Sequence, residues 1–307
     1  MPFLDSSAVR LAAGDLEAVF LPRYGMLGAS LRRRGVELLG RVENLEAAGE
    51  SGSTAGIPLL HPWANRLAGL EYQAAGRSVR LDPASPLLHF DSRGLPIHGV
   101  PWSKLSWEVT VSRADTIEAR LAWARPELLA VFPFPHALEL RAALTPGSLT
   151  FETTLVAGLL SAGPGAAVPV AFGFHPYFAL PGLPRPQWRL RLPPMRRLEL
   201  DANGIPTGRE EDAPAVDTSL ADRSWDDGFA LEGETAMLGI SAGDFAISVD
   251  FLEGFGYAQV YAPPDKPLIA LEPMTAPTSA LTTGRGLRTV PPGGRYRAAF
   301  RIRVEAA

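Results

Sequence analysis

The sequence predicts an all-β fold, namely a large single-domain antiparallel β-sandwich with few short helices. Two observations carry this prediction. Apolar and polar residues alternate with a period of two through many short segments, as in strands that have one buried and one solvated face. Turn-forming residues, among them 30 glycines and 29 prolines, separate these segments. Clean alternation is typical of antiparallel sheets, and many short strands with regular turns favour a sandwich.

Six segments show the alternation most clearly. They are Ile117–Trp123, Leu138–Leu144, Leu149–Leu155, Trp188–Leu192, Phe245–Phe251 and Tyr296–Val304. In the last segment the even-numbered positions are apolar or aromatic, whereas Arg297, Arg301 and Arg303 point the other way. Each segment is therefore predicted to be a strand.

Helical periodicity is rare. One modest helix is predicted around Val42–Ala48, where Gly49 interrupts the pattern. The proline-rich stretch Leu180–Pro186 resembles a linker, but it is short and the strand patterns on its two sides look alike. Residues 1–307 are therefore predicted to form one domain.

The composition indicates a soluble globular protein. Hydrophobic residues make up 46% and charged residues 20% of the chain, which is ordinary globular usage. A net charge of -4 gives no electrostatic footprint for nucleic acid, and no apolar run approaches the ~20 residues of a membrane span. The amino end lacks a cationic region followed by an apolar stretch. A cytoplasmic enzyme or binding protein with no nucleic-acid or membrane partner is expected, and its oligomeric state is not readable from the sequence.

The chain contains no cysteine. This excludes a disulfide framework, a thiol nucleophile, a Cys-ligated zinc and an iron–sulfur cluster together. Any chemistry must come from other side chains.

Glu272 stands in the middle of the otherwise apolar run Pro267–Pro277. Desolvating a carboxylate is costly unless partners or a raised pKa compensate. The position of Glu272 therefore indicates a functional role.

Four other places put ionisable side chains in Gly-, Pro- or aromatic-rich surroundings: Asn65–Arg66, His98–Gly99, His175 and Asp226–Asp227. Taken singly, each is more often a structural, surface or turn residue. Taken with Glu272, two histidines and one arginine are the groups that acid–base chemistry on a neutral polyol needs. Aromatic rings accompany them and offer apolar faces to a sugar, although each is individually more typical of a core; they are Trp63, Trp102, Tyr177 and Trp225.

These motifs occur in an order that resembles the aldose 1-epimerases, or galactose mutarotases. The ordered set is Asn-Arg at 65–66, His-Gly at 98–99, His-x-Tyr-Phe at 175–178, Asp-x-x-Phe at 226–229 and Glu-Pro-Met-Thr at 272–275. The resemblance implies a galactose mutarotase-like supersandwich whose concave face holds a cleft for a small-molecule sugar. It also implies an isomerase of carbohydrate metabolism that works without metal or organic cofactor.

The resemblance also implies roles for individual residues. Glu272 matches the general base of the family and His175 its general acid. The residues expected to bind the sugar are Arg66, His98, Asp226, Asn65 and Tyr177, with Arg66 and His98 also stabilising charge. Asp227 is the rival of Asp226, since the short glycine turn could shift the register.

Two departures from the family pattern leave the sugar open. Ala64 stands where a glycine is common, and Ala179 where galactose mutarotases usually carry asparagine. A free hexose is the first expectation. The alternative, a phosphorylated hexose, would need a basic cluster at the cleft rim, for which the candidates are Arg93, Arg285 and Arg288.

Two other functions compete with mutarotation. A glycoside hydrolase could use Glu272 and Asp226 as its pair of carboxylates, although two histidines and an arginine would be superfluous to it. A non-catalytic sugar-binding module could share the fold, since a β-sandwich does not by itself fix a function. A binding module would have no use for a proton-transfer pair.

Overall fold

The computed structural model describes residues 7–158 and 167–306, with the side chain of the last residue left aside. Residues 1–6, to which the prediction of location partly referred, lie outside this range. Strands predominate and helices are few and short, as predicted. No helix within the described ranges has the length and apolar character needed to cross a membrane.

The strands fall into two large sheets and three small ones. In chain order they are β1 (Val9–Ala13), β2 (Leu16–Leu21), β3 (Leu27–Arg33), β4 (Val36–Glu37), β5 (Leu59–Leu60), β6 (Glu71–Ala74), β7 (Arg77–Arg80), β8 (Glu108–Ser112), β9 (Thr116–Trp123), β10 (His136–Thr145), β11 (Ser148–Ala157), β12 (Val168–Val170), β13 (Gly173–Phe174), β14 (Tyr177–Phe178), β15 (Arg189–Leu192), β16 (Met195–Leu200), β17 (Pro206–Ala213), β18 (Val216–Ser219), β19 (Trp225–Leu231), β20 (Ala236–Ala242), β21 (Phe245–Glu253), β22 (Tyr257–Ala262), β23 (Ile269–Met274), β24 (Arg288–Val290) and β25 (Arg295–Ala306). The helices are α1 (Leu45–Ser51), α2 (Pro126–Val131) and α3 (Ala280–Thr283), with 3-10 turns at Trp102–Lys104 and Arg185–Gln187.

The six alternating segments are all strands, and they became β9, β10, β11, β15, β21 and β25. The predicted helix is present, but it lies slightly further along the chain than expected. Helix α1 begins at Leu45, because the Asn44 side chain accepts a hydrogen bond from the Ala47 amide, and it continues through Gly49. A Cβ on Gly49 would lie 3.2 Å from the Trp102 ring, so this glycine permits close packing rather than ending the helix. The helix ends at Gly52, which adopts the left-handed conformation of a C-cap.

The two large sheets are antiparallel throughout their named strands. One has the order β18-β15-β20-β21-β25-β11-β10-β9-β8, and the other has the order β17-β16-β19-β22-β23-β13-β5 with β14 also paired to β23. The smaller sheets are β1-β2-β3-β4, β12-β24 and β6-β7. This arrangement agrees with the predicted antiparallel fold.

Aromatic rings fill the space between the two large sheets. Phe151 and Phe300, on neighbouring strands of the nine-stranded sheet, stack with centroids 4.8 Å apart and planes within 4°. Phe174, on β13 of the other sheet, packs 4.9 Å from Phe300. Because residues on opposite sheets share these contacts, the sheets pack face to face as a sandwich.

A histidine pair lies buried within this core. His61 and His136 join through their Nε2 atoms at 2.9 Å, and Nδ1 of His136 donates to the carbonyl of Phe134 at 2.6 Å. Because Nδ1 of His136 holds its proton, Nε2 of His136 accepts the hydrogen bond that Nε2 of His61 donates when both rings are neutral. Burial lowers the pKa of His136 to about 4 and lowers the pKa of His61 well below its ordinary value. Both rings are therefore neutral in the folded protein at neutral pH.

This neutrality predicts that acid destabilises the protein through His136. The pKa of His136 is about 4 in the folded state against 6.5 ordinarily, so the unfolded state takes up a proton at a higher pH than the folded state does. The contribution of neutral His136 to the free energy of unfolding is therefore fully present above pH 6.5 and is lost as the pH falls toward 4. In His136→Gln, the fall in unfolding free energy with acidification should be shallower by about 1.4 kcal/mol per pH unit over that window. Urea unfolding of both proteins at several pH values measures it. Equal slopes would show that folding does not lower the pKa of His136.

Candidate active site

Glu272 lies in the middle of β23, whose six residues are all buried. Strand β22 flanks β23 along one side, and Gln259 of β22 stands directly opposite Glu272. Glu272 is only 1% exposed. The apolar run seen in the sequence is therefore a central strand with an ionisable side chain at its midpoint.

His175 is brought to Glu272 by the register of β23. The residues on either side of it belong to two short strands that both pair with β23, with Gly173 opposite Met274 and Tyr177 opposite Ala270. The residue midway between these pairs, His175, consequently faces Glu272. Its Nε2 lies 3.1 Å from Oε1 of Glu272, and its own amide donates to the carbonyl of Pro58.

Gly173 keeps this meeting point tight. A Cβ there would lie 2.8 Å from the carbonyl oxygen of Pro273 and 2.9 Å from Cβ of Ala64. Real Cβ atoms do not approach so closely, so the backbone of β13 can reach β23 only through glycine. Ala64, the first departure from the family pattern, is accommodated against the bare backbone of Gly173.

Burial sets the ionisation of the Glu272–His175 pair. It raises the pKa of Glu272 well above the ordinary value, and the negative charge of Asp226 raises it further. Burial also lowers the pKa of His175 well below the ordinary value, and His98 adds to this effect. A doubly protonated pair would carry a buried positive charge and a proton-free pair a buried negative one. The pair therefore shares one proton at neutral pH.

Both members of the pair have a further polar atom free. Within the described residues, Oε2 of Glu272 and Nδ1 of His175 have no hydrogen-bond partner although both atoms are buried. Buried polar atoms are normally satisfied, and exceptions concentrate at functional sites. The free atoms indicate that a ligand completes the hydrogen bonding here.

His98 comes from an interlocked pair of loops. Its amide donates to the carbonyl of Asn65, and both residues have left-handed backbones, with φ of 64° and 56°. The next residue, Gly99, could not be replaced without strain, because a Cβ would lie 2.3 Å from the carbonyl oxygen of His61. This explains the His-Gly motif as a close backbone crossing.

The ring of His98 lies edge-on to that of His175, with centroids 5.3 Å apart. Burial lowers the pKa of His98 to about 3, and the positive charge of Arg66 contributes. His98 is therefore a neutral donor or acceptor near the Glu272–His175 pair.

Arg66 is fixed by Asp91, a residue that the sequence reasoning missed. Its Nε donates to Oδ2 of Asp91 at 2.6 Å, and its Nη1 donates to the side-chain oxygen of Asn65 at 3.1 Å. Burial alone would raise the pKa of Asp91, but hydrogen bonds from Arg66 and from the Leu95 and Arg93 amides lower it overall. Asp91 is thus an anion that holds the guanidinium in place.

The structure separates Asp226 from its rival. Successive strand residues point to opposite faces of a sheet. Asp226 lines the cavity and accepts a 2.7 Å hydrogen bond from Gln259, the residue opposite Glu272. Asp227 points away and forms an ion pair with Arg197 at 2.6 Å.

Tyr177 is held on several sides. Its hydroxyl shares a 2.7 Å hydrogen bond with the Thr54 hydroxyl, and its ring stacks on His175 with centroids 4.2 Å apart. The guanidinium carbon of Arg41 lies 5.3 Å from the same ring. Burial raises the pKa of Tyr177, so its phenol stays protonated.

These side chains surround one cavity of about 260 Å³. Drug-sized pockets measure about 300–1,000 Å³, so this one fits a small polar molecule. It brings together all seven residues predicted for the site, and it is lined by Arg41, Ser53, Thr54, Asn65, Arg66, His89, Asp91, Ile97, His98, His175, Tyr177, Asp226, Gln259, Tyr261 and Glu272.

Several residues considered from the sequence lie outside this cavity. Trp63 and Trp102 are buried in the core, and Trp225 lines a different pocket, so Tyr177 and Tyr261 are the aromatic residues that face the cavity. Ala179 lines a separate, larger cavity of about 750 Å³ that contains none of the predicted site residues. Its departure from the family pattern does not alter the walls of the smaller cavity.

The three arginines considered for phosphate binding also lie elsewhere. Arg93 and Arg285 donate to the carbonyls of Asn203 and Thr207, and Arg288 lies over the Tyr296 ring. None of the three lines the cavity.

Some lining residues carried a weak signal in the sequence. Gln259 is a polar residue in the apolar strand β22, the same kind of signal that singled out Glu272. Asp91 has the appearance of a turn residue and Arg41 that of a surface residue beside Gly40, and only the fold brings them to the cavity. In the described part of the chain, no group of three His, Asp or Glu side chains could hold a metal ion.

Comparison with known proteins places the chain in a family. The family model described as aldose 1-epimerase matches residues 8–303. The chain therefore belongs to the aldose 1-epimerase family, whose members act on sugars. No curated protein matches it.

Solved structures share the fold at low identity. The Slr1438 protein from Synechocystis sp. PCC 6803 is 22% identical with a TM-score of 0.77, covering 98% of this chain and 96% of its own. A galactose mutarotase-like protein from Clostridium acetobutylicum is 17% identical with a TM-score of 0.80, covering 97% and 95%. A galactose mutarotase related enzyme from Lactobacillus acidophilus is 16% identical with a TM-score of 0.79, covering 98% and 99%. These likenesses establish the galactose mutarotase-like fold.

Proposed function

We propose that this protein is an isomerase that interconverts the α and β anomers of a hexose by acid–base ring opening and reclosure. The observation that carries the proposal is the buried contact of 3.1 Å between Nε2 of His175 and Oε1 of Glu272 in a small polar cavity. A single domain and a cytoplasmic location remain predictions from the sequence.

The shared proton suits the two transfers that ring opening requires. Burial favours the shared proton on Glu272 in the resting pair, so this proton first passes to His175 across the 3.1 Å contact. Glu272 then takes the proton of the anomeric hydroxyl while His175 gives its proton to the ring oxygen. The electron pair of the anomeric O–H bond forms the C1 carbonyl, and the C1–ring oxygen bond breaks. Rotation about C1–C2 presents the other face, and reversed transfers close the ring. One proton enters the pair as another leaves, so its charge is the same before and after.

The other lining residues bind and polarise the sugar. Arg66, held by Asp91, offers charge-assisted hydrogen bonds to sugar oxygens, which strengthen as negative charge develops. Neutral His98 donates or accepts one bond beside the ring. Asp226, turned into the cavity by its strand and bonded by Gln259, accepts from a hydroxyl.

Replacing Glu272 by glutamine should abolish most catalysis. The amide keeps the shape but cannot take up the proton, so kcat should fall about 10²–10⁴-fold, the usual contribution of general acid–base catalysis. Polarimetry on freshly dissolved α-glucose and α-galactose measures the rate, and circular dichroism checks the fold.

Asp227→Asn is the matched control for that variant. It makes the same carboxylate-to-amide change on a residue that pairs with Arg197 outside the cavity, and it should keep normal activity. Near-normal rates in Glu272→Gln would remove the proposed base.

The pH dependence of kcat/KM should be bell-shaped. Binding of a second proton stops catalysis at low pH, and because the pKa of His175 is lowered, this limb should lie below pH 6.5. Loss of the last proton stops catalysis at high pH. Rates by NMR anomer exchange, corrected for the uncatalysed reaction, test this. A flat profile, or an acid limb above pH 6.5, would contradict the one-proton pair.

A further inference from the structure

Arg41 is held at the cavity by an unusual backbone. It follows β4 with φ of 59°, a left-handed value that is uncommon outside glycine. The preceding residue, Gly40, donates its amide to the carbonyl of Tyr177, and Leu39 bridges Phe178. Strained backbone of this kind persists where the surroundings enforce it, and it often accompanies function. The segment is therefore clamped to β14, beside the stacked ring of His175.

Arg41 has no polar partner among the described residues. No carboxylate lies within ion-pair distance and no hydrogen bond engages its guanidinium, which packs over the ring of Tyr177.

The other arginine and the carboxyl groups that line the cavity each have a side-chain partner. Arg66 pairs with Asp91, Asp226 accepts from Gln259, and Glu272 pairs with His175. Asp226 acts with Arg41 on the pKa of Tyr261, in opposite senses, but it makes no ion pair with Arg41. A half-buried guanidinium with free N–H donors consequently faces the ligand space.

A second cavity extends the site past Arg41. It measures about 350 Å³ and shares Arg41 and Ser53 with the smaller cavity. Its other walls come from α1 and the residues before it, including Ala47 and Ala48. Glu43 also lines this cavity, but that side chain is exposed to solvent, which screens its charge, and it makes no ion pair with Arg41. A substituent on the sugar therefore has room beyond the hexose-sized space, with Arg41 at the junction.

We propose that Arg41 is a specificity-determining residue that binds an oxyanion, a carboxylate or phosphate, on the hexose carbon chain away from C1. The inference rests on the proposed function, because Glu272 and His175 mark the C1 end of the sugar. A guanidinium prefers planar oxyanions and phosphates, to which it offers two parallel hydrogen bonds. A free hexose was expected from the sequence, where Arg41 had the appearance of a surface residue. An acidic hexose supplies the partner that Arg41 lacks.

The test compares Arg41→Met with Arg285→Met on glucose, glucuronate and glucose 6-phosphate. Arg285 is an exposed arginine that lies outside the cavity and donates to the carbonyl of Thr207, so it is the matched control. Arg41→Met should lower kcat/KM for one or both acidic sugars about 10-fold or more, as expected for a lost hydrogen bond to a charged group. Glucose should change less than about 3-fold, and Arg285→Met should change none of the three.

The acidic sugar that loses its rate identifies the ligand as carboxylate or phosphate. Equal losses on all three sugars would overturn the proposal, because Arg41 would then bind hydroxyls or support the fold. Rates for the acidic sugars that do not depend on Arg41 would overturn it as well.

Binding separates this proposal from the proposed function. Calorimetry with glucuronate and glucose 6-phosphate on Glu272→Gln, with and without Arg41→Met, needs no catalysis. Binding that depends on Arg41, without any acceleration of anomer exchange by the unmodified protein, would support the anion site and reject mutarotation. Binding of neither acidic sugar would reject the anion site.

Discussion

The buried contact between Glu272 and His175 is the interaction on which the rest of the site depends. The burial of these two ionisable groups is tolerable because they lie 3.1 Å apart and share one proton, which leaves the pair without net charge. Because the pair is neutral with one proton, it can give a proton to one atom of a ligand while it takes a proton from another atom of the same ligand. The contact that makes the burial of Glu272 and His175 tolerable is therefore the same contact that the proposed chemistry uses.

Strand register creates that contact. β13 and β14 pair with β23 on either side of His175, and β22 places Gln259 opposite Glu272. Gln259 in turn holds Asp226, so pairing along β23 positions the proposed acid, the proposed base and the proposed hydroxyl ligand. Loops held by backbone crossings at Gly99 and Gly173 add the remaining groups. A slip of one residue in β23 would turn Glu272 to the other face of the sheet.

The sequence predicts the strands well because alternation is a local property, as β9, β10 and β25 show. It also finds Glu272, because a carboxylate in an apolar run is locally anomalous, and the order of motifs points to His175 and Arg66. It does not reveal Arg41 or Asp91, since their roles come from long-range packing against Tyr177 and Arg66. Gly49 was misread for the same reason, because its close packing against Trp102 is a tertiary contact.

The most direct test of the one-proton pair is an NMR titration that follows the imidazole nitrogens of His175 and the carboxyl carbon of Glu272 in the sugar-free protein. The pair should hold a single proton through neutral pH, with the carboxyl resisting ionisation above its ordinary pKa of 4.5 and the imidazole refusing a second proton until well below 6.5. Independent titration of Glu272 near 4.5 and of His175 near 6.5 would contradict the account.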